Sequence, residues 1–330
     1  MKKLFFLLAC VAMSVLSFGQ DNQLVWANGH LLYGTPIESI DSLTYDEMED
    51  IDTLHLLLPR TLIKVVHDTV YIHDTVYVET NCGEDTPSSA GIGVFSVSAD
   101  KQVTFSKGNL QYHPANNEWR FAANQTDYIG DANSNCSSTY NGWLDLFGWS
   151  TSSTNFGVST STSSSDYSGS FVDWGTNQIG NDAPNTWRTL SSEEWNYLIN
   201  SRTNASSLKG IAQVNGVNGL ILLPDNWICP ASVNFKSGFH SEPSVEAYGQ
   251  YQTFTAEQWS KLESVGAVFL PAAGLRDGSN VGEVQRGGDY SSTTATYGGR
   301  KSCLSFLAHE VCTTHNLGYF GQSVRLVKDL

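Results

Sequence analysis

The residues able to carry chemistry include six cysteines, eight histidines and nine tryptophans, in a chain with a surplus of carboxylates. Cys303 and Cys312 are near in sequence and could bridge two neighbouring strands. Cys136 and Cys229 offer a second pairing, which sequence alone does not decide. Asp145 and Asp173 can be drawn as an acid/base carboxylate pair, although spacing in sequence says nothing of their separation in space. Asp131, Asn133 and Asn135 alternate as the first ligands of a calcium loop do, but Cys136 stands where the loop needs Gly and Gly142 where it needs Glu. A solvated Asx-rich turn accounts better for them. His67 and His73, and later His309 and His315, lack the further ligands that define a metal site. No CxxC spacing, Ser-His-Asp order, phosphate-binding loop or dinucleotide fingerprint is present. No residue is therefore assigned as catalytic or as a metal ligand, and no cofactor is expected; calcium is the one ion with any echo in the sequence.

Binding chemistry is better represented. Trp143, Trp149 and Trp174 stand in Gly-rich, polar contexts, where flat rings stack on sugar C–H faces. Asp145, Asp173, Asn177, Arg276 and Asp289 are their candidate hydrogen-bonding partners. The competing reading is that these rings fill a core beneath long loops.

The elements that must position these groups follow from pattern and composition. Residues 1–19 read as a secretory signal: two lysines, an apolar run and a small-residue end at Ser17-Phe18-Gly19. A lipobox reading around Leu7-Leu8-Ala9-Cys10 leaves too short an apolar run and is less favoured. Export to the periplasm, outer surface or medium is expected, with no transmembrane segment in the mature chain. The net charge of −15 argues against nucleic acid or anionic membrane as partner. Residues 20–90 hold 13 Asp and Glu against Arg60 and Lys64, a different balance from the 20 against 14 of residues 91–330.

Residues 20–58 read as a small β module, with a hairpin turning at Asn28-Gly29 and a third β run over Ile40–Tyr45. Residues 59–90 read as a stalk and linker. Its hexad His67-Asp68-Thr69-Val70-Tyr71-Ile72 recurs as His73-Asp74-Thr75-Val76-Tyr77-Val78. In an extended chain the even period puts His67, Tyr71, His73 and Tyr77 on one side. Residues 91–330 read as one α+β domain with two main helices, short strands and long loops. Capping boxes at Ser191–Glu194 and Thr255–Gln258 start helices that bury Trp195, Leu198, Ile199 and Trp259, Leu262. Gly219–Leu223 and Ala267–Leu270 read as buried strands, and Ser323–Val327 as a closing one. Of the 21 residues Ser150–Ser170, 14 are Ser or Thr, a loop composition.

Several of these segments carry a family resemblance. Trp187-Arg188-Thr189-Leu190-Ser191-Ser192-Glu193-Glu194-Trp195 resembles the Arg-Leu-Pro-Thr-Glu-x-Glu-Trp helix entry of formylglycine-generating, sulfatase-modifying enzymes. Gly321–Asp329 is similar to the Gly-x-Ser-Val-Arg-x-Val-Lys-Asp ending of the Fibrobacter succinogenes major paralogous domain. Gly142–Trp149, Val214–Trp227 and Gly266–Gly274 look like segments of secreted Bacteroidetes proteins in the same group. The resemblance covers nearly all of residues 91–330 and implies a C-type-lectin-like fold. It extends loosely to the N-terminal hairpin and the repeats, which resemble leaders and stalks of such proteins. It also implies two readings of function. One is a non-catalytic binding or adhesion protein of the cell surface, with a glycan or an extracellular protein as partner. The other is a thiol oxidase using Cys303 and Cys312, although these are farther apart than that enzyme motif places its cysteines. A structural surface subunit that packs against further copies is a third. Glu242-Pro243-Ser244 only partly echoes the calcium-dependent sugar-binding loop of C-type lectins. Ser42, Thr53, Thr69 and Thr75 lie in Asp-Ser/Thr-aliphatic triplets that resemble Bacteroidetes O-glycosylation acceptors.

Overall fold

In a computed structural model of the chain, residues 93–230, 233–241 and 247–330 are described, with the backbone of five strands between 22 and 66. The segment expected as a secretory signal, the hexad repeat with His67, Thr69, His73 and Thr75, Cys82 and the Glu242–Ser244 triplet lie outside the described residues. The chain divides into two units, Met1–Asp85 and Thr86–Leu330.

In the first unit β1 (Asn22–Ala27) and β2 (His30–Pro36) pair antiparallel, with Ala27 opposite His30 across the two-residue connection expected to turn there. β3 (Ser42–Tyr45), β4 (Thr53–Leu58) and β5 (Thr61–Val66) make a separate antiparallel sheet. Ser42 and Thr53 are the first residues of their strands. β5 corrects the stalk boundary: residues 61–66 pair with β4 and belong to the sheet. The β-branched run Ile63, Val65 and Val66 suits a pleated strand better than a spacer.

The second unit is mixed α+β, with short, mostly antiparallel sheets and few helices. In chain order come β6 (Phe95–Ser96), β7 (Gln102–Phe105), β8 (Leu110–His113), β9 (Glu118–Phe121) and α1 (Ser192–Asn196). Then follow β10 (Lys209–Val214), β11 (Val217–Leu222), α2 (Tyr248–Tyr251), β12 (Thr253–Phe254), α3 (Ala256–Ser264) and β13 (Val268–Pro271). The chain closes through β14 (Leu275–Asp277), β15 (Asn280–Gly282), β16 (Gly287–Ala295), β17 (Arg300–Leu307), β18 (Glu310–Leu317) and β19 (Val327–Asp329).

Both capping boxes form. Ser191 Oγ accepts from Glu194 N while Glu194 returns the bond to Ser191 N, and Thr255 and Gln258 do the same. Each pair satisfies two backbone donors that a helix start leaves open. α1 drives Trp195, and the π-helical turn Tyr197–Ser201 that continues it drives Leu198 and Ile199, into the main core with Phe95, Phe105, Tyr290 and Phe306. Trp259 and Leu262 of α3 enter a second core with Ile221 and Phe269. The sheet β12-β10-β11-β13 separates the two. Leu220 and Leu222 face the first core, Ile221 and Leu223 the second. A strand covered on both faces has no solvent side, which is why Gly219–Leu223 is continuously apolar and does not alternate.

The C-terminal segment differs from expectation. Only Val327–Asp329 forms a strand, pairing with β7. Ser323–Leu326 is buried throughout, because it threads between other segments. Ser291 N donates to Ser323 O, Leu110 N to Val324 O and Ser106 N to Leu326 O, each at 2.9 Å. Val324 and Leu326 there join a third core with Tyr112, Trp119, Phe147 and Trp174. The Ser/Thr-rich loop closes over this core. It buries Tyr167 and passes so near Gly148 that a Cβ on Gly157, at φ +80°, would lie 1.8 Å from the Gly148 carbonyl oxygen.

Candidate binding cleft

β8 and β9 pair with Gln111 opposite Arg120 and Tyr112 opposite Trp119. Alternation along the strands turns Tyr112 and Trp119 inward, ring centroids 4.1 Å apart, and leaves Arg120 exposed. Arg120 Nε donates to Gln111 Oε1 at 2.9 Å, and its guanidinium lies 3.6 Å from the centroid of the Trp143 ring. His113 meets the same ring edge-on. Arg120 is thus held by Gln111 and by the face of Trp143 before any ligand arrives.

Trp187 lines a cleft of ≈ 660 Å³ together with Arg120 and Phe121 of β9. Its half-buried indole donates to Asp182 Oδ2 at 2.8 Å and packs edge-on against Phe121, centroids 5.1 Å apart. Its position is over-determined. Arg188 N and Val327 O, and Val327 N and Arg188 O, pair the next residue to β19. The turn at Trp174–Thr176 touches it backbone to backbone, since a Cβ on Gly175 would lie 1.8 Å from Trp187 O. Arg188 bonds both Glu194 and Asp329, and its hydrogen bonds hold the Asp329 carboxyl below the usual carboxylate range. Gln125 lies at the cleft's inner wall: its Oε1 accepts from Arg325 Nη2 and Phe269 N, and its Nε2 donates to Glu263 Oε1 and Ala267 O. Lys107, Glu263 and Lys328 are among the cleft's further polar lining residues, and Ile179 and Val268 among its apolar ones. A second hollow of ≈ 580 Å³ adjoins, sharing Lys107, Arg120 and Phe121 with the first. Aromatic faces beside fixed carboxylates, amides and cations can hold a polyhydroxylated ligand.

The residues singled out from sequence are not gathered here. Trp143 adjoins the cleft, but its face is taken by Arg120. Trp149 and Trp174 are buried, so the core reading holds for them and the stacking one does not. Trp149 Nε1 donates to Ser292 O, with Lys301 Nζ 3.8 Å from its ring centroid, and Trp174 Nε1 donates to Phe156 O. Asp145 is fully buried, its oxygens taken by Ile129 N and Asn133 Nδ2. Asp173 accepts from Gly175 N and from Thr189 N and Oγ1. Both carboxylates are structural acceptors, which removes the acid/base pair. Asn177 Nδ2 caps Trp174 O. Arg276, fully buried, clamps the carbonyls of Ser159, Gly278 and Leu146.

The supposed calcium loop is a 3₁₀ turn over Gly130–Asn135, with Asn133 Oδ1 accepting from Asp145 N and Leu146 N. Among the described residues no group of three or more His, Cys, Asp or Glu could hold a metal ion. His309 approaches Glu310 at 3.7 Å, and His315 shares a hydrogen bond with Ser302.

Cys303 and Cys312 do lie on neighbouring strands, but both are free. Cys303 stands opposite Thr314 and Cys312 opposite Ser305, so the thiols are offset by two positions along one face of the sheet. Cys136 is free and buried, and Cys229 free and exposed. Burial pushes the Cys303 thiol far up, with the nearby Asp289 carboxylate adding to the effect, and burial raises Asp289 as well. A nucleophilic thiol needs the opposite, a lowered pKa and access. With a thiol-directed alkylating reagent and peptide mapping, Cys229 is expected to label in the folded protein. Cys136 and Cys303 should label only after unfolding. Rapid native labelling of Cys303 would overturn this assignment.

Sequence reasoning missed Lys107, Arg120, Phe121, Asp182, Trp187 and Glu263. Trp187 had a usable signal: Asn185-Thr186-Trp187-Arg188 is as polar a setting as that of Trp143. No protein-family model, curated protein or solved structure matches this chain. Among the described residues no helix is long and apolar enough to cross a membrane.

Proposed function

We propose that this chain is an exported, non-catalytic binding protein whose second unit, of C-type-lectin-like type, holds a glycan in the Trp187 cleft. The observation that carries this reading is the half-buried Trp187–Phe121 pair, fixed beside Asp182 and open to a cleft of ≈ 660 Å³. The burial of Cys303 weighs against the thiol-oxidase reading. The test is glycan-array binding by the full chain, with calcium and again with EDTA. Binding is expected to be indifferent to EDTA and to fall at least tenfold in Trp187→Ala, a loss of about 1.4 kcal/mol or more from one stacking ring. A blank array from a protein shown to be folded by circular dichroism would sink the glycan reading and favour a protein partner. Binding abolished by EDTA would bring calcium into the site.

A further inference from the structure

The domain carries more acid than base, 20 Asp and Glu against 14 Lys and Arg in residues 91–330, so an exposed cation should find a carboxylate. Arg188, Lys261 and Arg286 do, as does the buried Arg202. Lys209, Arg276, Lys301 and Arg325 are buried. Among the described residues the exposed cations outside ion pairs are Lys101, Lys107, Arg120, Lys236, Arg300 and Lys328. Three of these six, Lys107, Arg120 and Lys328, line the one cleft.

Arg120 is also oriented in advance. Gln111 takes its Nε and Trp143 its face, so the two terminal nitrogens are left without a hydrogen-bond partner among the described residues. A guanidinium fixed in this way matches the paired oxygens of a carboxylate or sulfate, and fixing it beforehand removes part of the ordering cost of binding. Lys107 supplies a second charge on the same wall. It sits on the turn between β7 and β8, where Ser106 Oγ donates to Gly108 O. That turn is pressed against the chain after β9, since a Cβ on Gly108 would lie 2.5 Å from Ala122 O. The cleft's two carboxylates lie elsewhere, Asp182 on Trp187 and Glu263 on Gln125. Their remaining lone pairs suit hydroxyls.

We infer that Lys107 and Arg120 form an anion-recognition end of this cleft, which takes an acidic saccharide through its carboxylate or sulfate group. The inference rests on the glycan reading above and narrows its ligand class.

The test titrates the full chain with chemically matched pairs: oligogalacturonate against its methyl-esterified form, and sulfated against unsulfated galactan. Binding at least about tenfold tighter to one acidic member than to its neutral partner is expected, and which pair shows the difference tells carboxylate from sulfate. That preference should shrink as salt is raised from about 50 to 500 mM, because exposed charges are screened. Arg120→Gln should lose about tenfold for the acidic ligand, and Arg120→Lys nearly as much, since an ammonium keeps the charge but not the fork. Lys107→Gln should lose a similar factor, and Lys236→Gln, on the Tyr251 ring, none. Both site residues are exposed, so the variants should keep the parent's melting temperature. Equal binding of acidic and neutral members would overturn this inference and leave the glycan reading standing. Failure to bind any of the four saccharides, with a blank array, would overturn both.

Discussion

Trp174→Ala is expected to lower the unfolding free energy by about 3–5 kcal/mol, the usual cost of emptying a large aromatic site in a core. Trp174 is completely buried in the third core, with Phe171 and Phe147 centroids 5.3 and 6.1 Å away. Its indole is the partner of Phe156 O at 2.8 Å, so truncation also orphans that carbonyl. Phe156 carries a φ of +60°, and the bond helps hold that unfavourable turn. A domain has only about 5–15 kcal/mol in hand, so the variant should melt about 10 °C lower. Trp174→Phe keeps most of the packing and loses the hydrogen bond, so a smaller loss of about 1–3 kcal/mol is expected. Chemical denaturation of the three proteins checks this. A loss below about 1 kcal/mol for the alanine variant would mean that Trp174 is not the anchor described.

The second large effect is on pH dependence. Burial pushes the Asp145 carboxyl up to about 6, against the partly opposing hydrogen bonds from Asn133 and from backbone amides. The folded state therefore holds this proton more tightly than the unfolded chain, where the group titrates at its ordinary 3.8. Between those two values the folded state binds more protons, so stability falls as pH rises. Two pKa units correspond to about 3 kcal/mol, fully lost above pH 6 and fully present below about pH 4. Asp329 and Glu193, both lowered, act in the opposite sense as pH falls through the acid range. Asp289, also raised by burial, acts in the same sense as Asp145, so maximum stability is expected on the acid side of neutrality. Asp145→Asn should flatten the slope between pH 4 and 6, read from urea midpoints across that range. An unchanged slope in the variant would assign the dependence to another group.

What could be read from the sequence was what depends on neighbours in the chain. Both capping boxes, the tryptophans at helical spacing behind them and the doubly buried run Gly219–Leu223 are local patterns, and a helix start or buried strand needs little else. The mixed α+β class followed from the same signals. Burial of the polar-context tryptophans was not legible in this way. Trp143, Trp149 and Trp174 have similar sequence settings, yet Trp143 borders the surface while Trp149 is buried with Phe171, Ser292 and Lys301 and Trp174 beneath Phe156 of the Ser/Thr-rich loop. The cleft was equally hidden, because it is assembled from Lys107, Arg120, Trp187, Glu263 and Lys328, brought together from four separate parts of the chain. By itself the sequence determined the two capped helix starts and the doubly buried strand, since those forces act within a few residues, whereas Ser323–Leu326 and residues 61–66 took states set by the segments they meet. Only the tertiary structure decided which aromatic rings are packed, which carboxylates serve the backbone and which cations remain unpaired, since each depends on what the rest of the chain lays against it.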